Sequence, residues 1–244
     1  MYELPRGARR IAFFGGSFDP PHLGHLAVAR AAQAALRLDL VLFAPVGAQP
    51  LKPQGSTAAF EDRLAMTQLA IAGESGFAVS LADAPSVSGT PNYTLETLLR
   101  MRAALPPEGS LFCLMGADSF LNLRHWHRAA EIPFAAPLIV ASRPLISVSA
   151  EGLEDLPAAL PSGLEMEPAP DLAPLPSQFD VRGYRIRNPA GESAPFYLLP
   201  GLHIEISATQ IREQARFESG ADAASQGILP AAVAEYIRSR GLYQ

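Results

Sequence analysis

The densest concentration of chemically useful residues is Gly15-Gly16-Ser17-Phe18-Asp19-Pro20-Pro21-His22-Leu23-Gly24-His25. It follows a short apolar run, Ile11 to Phe14, and precedes a stretch of good helix formers. It therefore reads as strand end, turn and helix start. Glycines at a strand end let backbone N–H groups approach an anion closely. The helix start adds orphan N–H donors and the positive end of its dipole. His22 and His25 stand three apart, which puts both imidazoles on one edge of that helix start. With Ser17 adjacent, two imidazoles and several N–H donors make a site for phosphate oxygens.

Other chemistries fit the same residues poorly. Zinc would need a Cys, Glu or third His at ligand spacing, and none stands there. No Gly-Lys-Ser/Thr follows the glycines, and the loop does not match Gly-x-Gly-x-x-Gly. There is no Gly-x-Ser-x-Gly nucleophile elbow. The single cysteine, Cys113, excludes an internal disulfide framework and a multi-thiolate metal site, and suits a reducing compartment.

The elements that must position these residues follow from periodicity. Ile11 to Phe14, Leu40 to Ala44, Leu111 to Met115 and Pro137 to Ala141 are continuous apolar runs, and Phe77 to Leu81 is a weaker one. Helices are expected from about Leu23 to Leu36, Phe60 to Ala72 and Thr94 to Leu105, with Thr94 as N-cap. Strands without alternation are buried on both faces, which implies a mostly parallel sheet flanked by helices. The fold predicted is α/β, Rossmann-like and doubly wound, closed by C-terminal helices at about Ser207 to Phe217 and Pro230 to Arg240. Ligands in such sheets bind beyond the carboxyl ends of the strands. Chemistry is therefore sought in Gly15 to His25, Pro45 to Pro53, Gly116 to Trp126 and the segment after Ala141.

Composition sets the outer bounds. The chain has 244 residues, 48% hydrophobic, with a net charge of −5. That supports one sizeable core and a single domain spanning residues 1–244, and excludes wholesale disorder. The mild acidity argues against coating nucleic acid but not against a small phosphorylated ligand. No apolar run approaches the ~20 residues that span a bilayer. Arg9-Arg10 before Ile11 superficially suggests an export signal, but the apolar run is short and no small-residue cleavage pattern follows. The expectation is a cytoplasmic protein without membrane or nucleic-acid partners, with a homo-oligomer left open. Of 19 basic residues only Lys52 is a lysine, and it follows the second strand in the ligand-facing arc, where a compact ammonium suits a phosphate. Ten of the 23 prolines fall between Pro144 and Pro200, and that stretch is expected to be an insertion or surface excursion.

The first motif resembles the signature of the His-x-Gly-His nucleotidyltransferases and, more narrowly, of bacterial nicotinate-nucleotide adenylyltransferases. Further stretches are similar to the same family in the same order: Asn92-Tyr93-Thr94-Leu95-Glu96-Thr97-Leu98, Gly116-Ala117-Asp118-Ser119 with Trp126, and Ile206-Ser207-Ala208-Thr209-Gln210-Ile211-Arg212. Tyr236-Ile237 with Gly241-Leu242-Tyr243 resembles the family's ending. The sequence departs from the pattern at Ala208, where a second serine is usual, and at Leu51, where histidine precedes the lysine.

The resemblance implies transfer of AMP from ATP to nicotinate mononucleotide, with magnesium bound alongside ATP and no protein metal site. His22, His25, Lys52 and Arg212 would act on the phosphates. Gly15, Gly16, Ser17, Phe18, Gly24, Gly116, Asp118, Ile206, Ser207 and Thr209 would bind ATP, Asp118 through a ribose hydroxyl. Tyr93, Thr94 and Trp126 would bind nicotinate mononucleotide, Trp126 by stacking on the pyridine ring. His125, His127 and His203 are expected to be structural. Two alternatives remain at this point: another phosphorylated acceptor, such as nicotinamide mononucleotide or phosphopantetheine, or a non-catalytic nucleotide-binding protein.

Overall fold

The computed structural model describes residues 7–49, 51, 55–141, 156–172, 179–202, 206–217 and 227–244. In chain order the elements are β1 (Arg10–Gly16), α1 (Leu23–Leu36), β2 (Leu40–Pro45), α2 (Phe60–Ala70), β3 (Phe77–Val79) and α3 (Thr94–Ala104). Then come β4 (Ser110–Gly116), α4 (Ala117–Leu121), α5 (Ile132–Ala135), β5 (Leu138–Ala141) and α6 (Leu156–Ala159). The rest is β6 (Glu165–Pro168), β7 (Arg182–Arg187), β8 (Ser193–Leu199), α7 (Ala208–Phe217) and α8 (Ala231–Arg240).

Eight strands form one sheet in the order β3-β2-β1-β4-β5-β8-β7-β6. Every pair from β3 to β8 is parallel, and β7 and β6 extend the edge antiparallel. The chain winds outward from β1 through β2 to β3, then returns to β4 on the other side. The switch point therefore falls between the adjacent carboxyl ends of β1 and β4, where open α/β sheets bind ligands.

The apolar strands feed two cores, because successive side chains point to opposite faces. Ile11, Phe13, Leu40, Leu42, Cys113 and Met115 pack on one face with Leu95 and Leu98 of α3. Ala12, Phe14, Val41, Phe43 and Leu114 pack on the other with Leu26, Ala29 and Ala32 of α1 and Val233 and Ile237 of α8. The alanine-rich face of α1 lets that helix lie close to the sheet. Among the described residues, no helix is long and apolar enough to cross a membrane.

Two expectations change. Tyr93, not Thr94, is the N-cap of α3, and Thr94 is its first helical residue. The proline-rich stretch supplies three strands of the sheet. Phe196 and Leu198 of β8 are fully buried, and β8 pairs directly with β5. Pro168 lies on the edge strand and Pro189 and Pro200 lie outside the strands, whereas Pro195 lies within β8, opposite Arg185 of β7 and one residue before the pairing with β5 begins at Phe196.

One buried charge pins the loops at the switch point. Arg63 of α2 is 2% exposed. Its Nε, Nη1 and Nη2 donate to the carbonyls of Ala58, Ser17 and Val46 at 3.2, 2.6 and 2.8 Å. Arg63→Met would leave three carbonyls unpaired in the interior. The expected cost is about 3–5 kcal/mol, seen as a fall in Tm of about 10 °C. A melting curve unchanged by this substitution would refute Arg63 as the pin.

Candidate active site

The loop after β1 divides the site into two halves. Gly15, Gly16 and Ser17 line a cavity of about 750 Å³ that reaches Tyr93, Thr94, Asp118 and Trp126. Trp126 is partly buried and packs on the core beneath α3. Seven of the residues expected to bind ligand thus share one cavity, drawn from the ends of β1 and β4 and the start of α3. Gly116, at the end of β4, caps α4, and a side chain there would meet nothing within 4 Å.

The other half lies beyond Ser17. Phe18 has φ of +46° and is 1% exposed, its ring packed on Phe14, Phe43 and His25. His22, at the N-cap of α1, is 3% exposed, and its ring stacks on His25 with centroids 3.7 Å apart. The His22 backbone N–H donates to His25 Nδ1 at 3.1 Å. An amide nitrogen can only donate, so His25 Nδ1 accepts, and its neutral ring carries the proton on Nε2. His25 is then held as an N–H donor to whatever meets Nε2. Gly24 is buried in the first turn of the same helix.

Arg212 of α7 reaches this half from the far end of the chain. Its Nη1 donates to the Asp19 carbonyl at 2.7 Å and its Nη2 to Thr209 Oγ1 at 3.2 Å. The Ser207 carbonyl accepts the Ile211 N–H, which starts the helix, and Ile206 packs against the core. The imidazole pair and Arg212 are therefore brought to the same loop, outside the cavity. Lys52 and His203 lie outside the described residues; Leu51, which precedes Lys52, lines the cavity.

Hydrogen bonds between loops hold the cavity half in shape. Val46 N–H donates to the Gly16 carbonyl at 3.0 Å, and Gly47 N–H to the Asp83 carbonyl at 2.7 Å. Gly47 has to be glycine: a Cβ there would lie 2.5 Å from the Pro85 backbone. Asn92 accepts the Ala48 N–H at its Oδ1 and donates from Nδ2 to the Ala84 carbonyl, which fixes the lead into Tyr93 and Thr94. Gln49 Nε2 donates to Ser17 Oγ at 2.8 Å. At the rim, His127 packs on the Tyr93 ring, centroids 4.3 Å apart, with Nε2 3.6 Å from Glu96 Oε1. His127 thus has partners that no sequence spacing announced.

Asp83 is the buried carboxyl of this half, 4% exposed and lining the cavity. Burial raises its pKa, against the opposing effects of the Thr97 hydroxyl, 2.6 Å from Oδ1, and of Arg100. Burial, with a smaller effect from Asp83, pushes the Cys113 thiol up to about 12. Cys113 is therefore a thiol at neutral pH and not a nucleophile. Asp19, Arg63, Asp83, Gln49, Asn92 and Tyr243 are supporting residues to which motif reading gave no role. Only Asp19, Asn92 and Tyr243 carried a signal, as members of the recognised motifs.

The fold and the glycine–histidine loop define a nucleotidyltransferase with a parallel α/β core. The cytidylyltransferase-like family model matches residues 13–214. A protein of Laribacter hongkongensis, named "Probable nicotinate-nucleotide adenylyltransferase", is 38% identical over 245 residues, covering 100% of this chain and 98% of its own. One of Gloeobacter violaceus with the same name is 35% identical over 234 residues, covering 96% of each. The chain belongs to the nicotinate-nucleotide adenylyltransferase family. The fold matches that of the Plasmodium falciparum nicotinic acid mononucleotide adenylyltransferase complexed with NaAD, at a TM-score of 0.65 and 15% identity, over 96% of this chain and 97% of that one.

The raised pKa of Asp83 sets a pH dependence. The unfolded chain releases this proton at lower pH than the native state, so the native state binds more protons in between. Ionisation of Asp83 therefore costs stability as pH rises through its folded pKa. Asp83→Asn keeps an acceptor for Thr97 and removes that cost. Urea midpoints from pH 4 to 8 are expected to show the variant more stable at neutral pH, with the gain shrinking toward acid. A gain independent of pH would refute ionisation as its cause.

Proposed function

We propose that this chain transfers the adenylyl group of MgATP to nicotinate mononucleotide, giving deamido-NAD and pyrophosphate in NAD biosynthesis, in the cytoplasm. The observation that carries this reading is the cavity at the switch point. It joins the glycine loop to Trp126, Tyr93 and Thr94, a ring-sized apolar face beside polar groups, with His25 and Arg212 on the other flank of the same loop.

The chemistry asks for positioning more than for proton transfer. A phosphate oxygen of the mononucleotide attacks the α-phosphorus of ATP, and the bond from that phosphorus to the oxygen bridging to the β-phosphate breaks. The attacking oxygen is already anionic, so no general base is needed. Rate then comes from alignment and from stabilising charge on the transferred group and the leaving pyrophosphate. His25 offers Nε2–H, while Arg212 and Thr209 offer further donors from the start of α7. His22 shapes the pair by stacking on His25. Lys52 is assigned to a phosphate, a role supported by its following in sequence Leu51, which lines the cavity. Ser17 and the backbone of Gly15 and Gly16 border the phosphates from the cavity side, and Asp118 takes a ribose hydroxyl. Trp126 stacks on the pyridine ring, with Tyr93 and Thr94 at its carboxylate. Magnesium enters as part of the substrate, held by ATP oxygens and water.

The test is pyrophosphate release from purified protein with ATP, magnesium and one acceptor at a time. Nicotinate mononucleotide is expected to support release well above nicotinamide mononucleotide or phosphopantetheine. Release that favours another acceptor would refute the acceptor assigned, and none with any acceptor would refute the activity. His25→Ala is expected to lower kcat by about a hundredfold or more, with circular dichroism and Tm near those of the unaltered chain. Near-normal turnover in that variant would remove His25 from the mechanism.

A further inference from the structure

Tyr243 stands one residue before the last of the sequence, yet its hydroxyl donates to Asp19 Oδ1 at 2.7 Å, across 224 positions. The ring is 6% exposed and packs in the core beneath α1 and α8. Reaching this place takes two left-handed residues. Gly241 ends α8 with φ of +59°, and the Leu242 N–H returns to the Ile237 carbonyl at 3.0 Å. Tyr243 then adopts φ of +67°, a region that tyrosine seldom occupies. Such a conformation persists where the surroundings fix it. Burial, with Asp19 alongside, raises the phenol pKa, so the hydroxyl stays a donor.

Asp19 is the hydrogen-bond partner through which Tyr243 reaches the half of the site that holds His25 and Arg212. The Arg212 and Arg63 charges also act on the phenol at longer range. The Asp19 carboxylate also accepts the Thr57 N–H at 2.6 Å and the Ala58 N–H at 3.1 Å. Its carbonyl accepts Arg212 Nη1 at 2.7 Å. The side chain therefore fixes the residue in space, and the carbonyl uses that fixed position to aim a guanidinium. Arginine has five N–H donors, so this bond orients Arg212 without exhausting it.

We propose that Tyr243 is a positioning residue for ATP: its hydroxyl locks Asp19, and Asp19 aims Arg212 at the phosphates. The proposal rests on the nucleotidyltransferase reading above. A bland alternative is that Tyr243 only fastens α8 to the body of the protein. The same helix carries a matched control, because Tyr236 donates to Asp62 Oδ1 at 2.9 Å and fastens α8 to α2 without touching Asp19 or Arg212.

The experiment compares Tyr243→Phe and Tyr236→Phe in the full chain by melting and by steady-state kinetics with both substrates. Each change keeps the ring and removes one hydroxyl, so packing is retained. Tyr243→Phe is expected to raise KM for ATP about tenfold, with KM for nicotinate mononucleotide within about twofold. Tyr236→Phe is expected to lower Tm and move neither KM. In an Arg212→Ala background, Tyr243→Phe should add less than about twofold, because its effect passes through Arg212. A Tyr243→Phe that loses only Tm, as Tyr236→Phe does, would overturn the proposal. So would a full penalty that persists without Arg212. An unaltered chain that transfers no adenylyl group refutes the functional reading itself, whereas an active chain with an unmoved KM refutes only the role of Tyr243.

Discussion

Two buried side chains of opposite charge, Asp19 and Arg63, organise everything around the switch point. They are not paired with each other by a hydrogen bond; each is spent on backbone. Arg63 donates to three carbonyls from the loops after β1 and β2 and from the lead into α2. Asp19 accepts two backbone N–H groups from that same lead, together with the Tyr243 hydroxyl. Buried polar backbone must find partners, and these loops have no sheet neighbours to supply them. Burial depresses the Arg63 pKa, and the nearby Asp19 charge partly offsets this. The arrangement brings charge into the interior without an isolated ion, because each head group meets several hydrogen-bond partners. The cost of burying these groups is offset by a loop whose shape is set from outside the ligand cavity.

That shape separates two tasks. Gly15, Gly16 and Ser17 face the cavity with Tyr93, Thr94 and Trp126, the half proposed for the mononucleotide. Phe18 turns its ring into the core, and the chain beyond it presents the histidine pair and receives Arg212. In the function proposed, the two substrates would meet across one short loop. Because the histidine rings stack and His25 Nδ1 accepts a backbone N–H, the orientation of His25 is settled before any ligand arrives. Preset donors of this kind serve a reaction whose barrier is lowered mainly by alignment.

What the sequence disclosed follows the same physics. The parallel core was legible because β1, β2, β4 and β5 are unbroken apolar runs, as strands covered on both faces must be. The cavity at the strand ends was legible in part because glycines and helix starts punctuate those ends. Strands β7 and β8 were hidden. In β7 only Tyr184-Arg185-Ile186-Arg187 alternates polar and apolar residues as a half-covered antiparallel strand does, too short a run to stand out among the prolines around it. The supporting charges were hidden for another reason. Arg63 follows Glu61 and Asp62 on a helix and reads as one more solvated residue. Only the tertiary fold turns it inward toward three carbonyls 5, 17 and 46 positions away.

The scarcity of lysine takes on physical content from these contacts. A guanidinium presents donors in a fixed fork and keeps its charge where burial would strip an ammonium of its proton. Arg63 uses three of its nitrogens on three different carbonyls, a task for which a single ammonium on a flexible stem is badly shaped. Arg212 divides its two terminal nitrogens between a carbonyl and a hydroxyl, which fixes the plane of the group. Arginine at these two positions is therefore required by geometry, whatever drives its use elsewhere in the chain. Lysine differs in being compact and rotatable, which suits a phosphate whose position shifts during transfer. The two arginines thus belong to the rigid frame of the loops, and the phosphate role proposed for Lys52 asks for the opposite property.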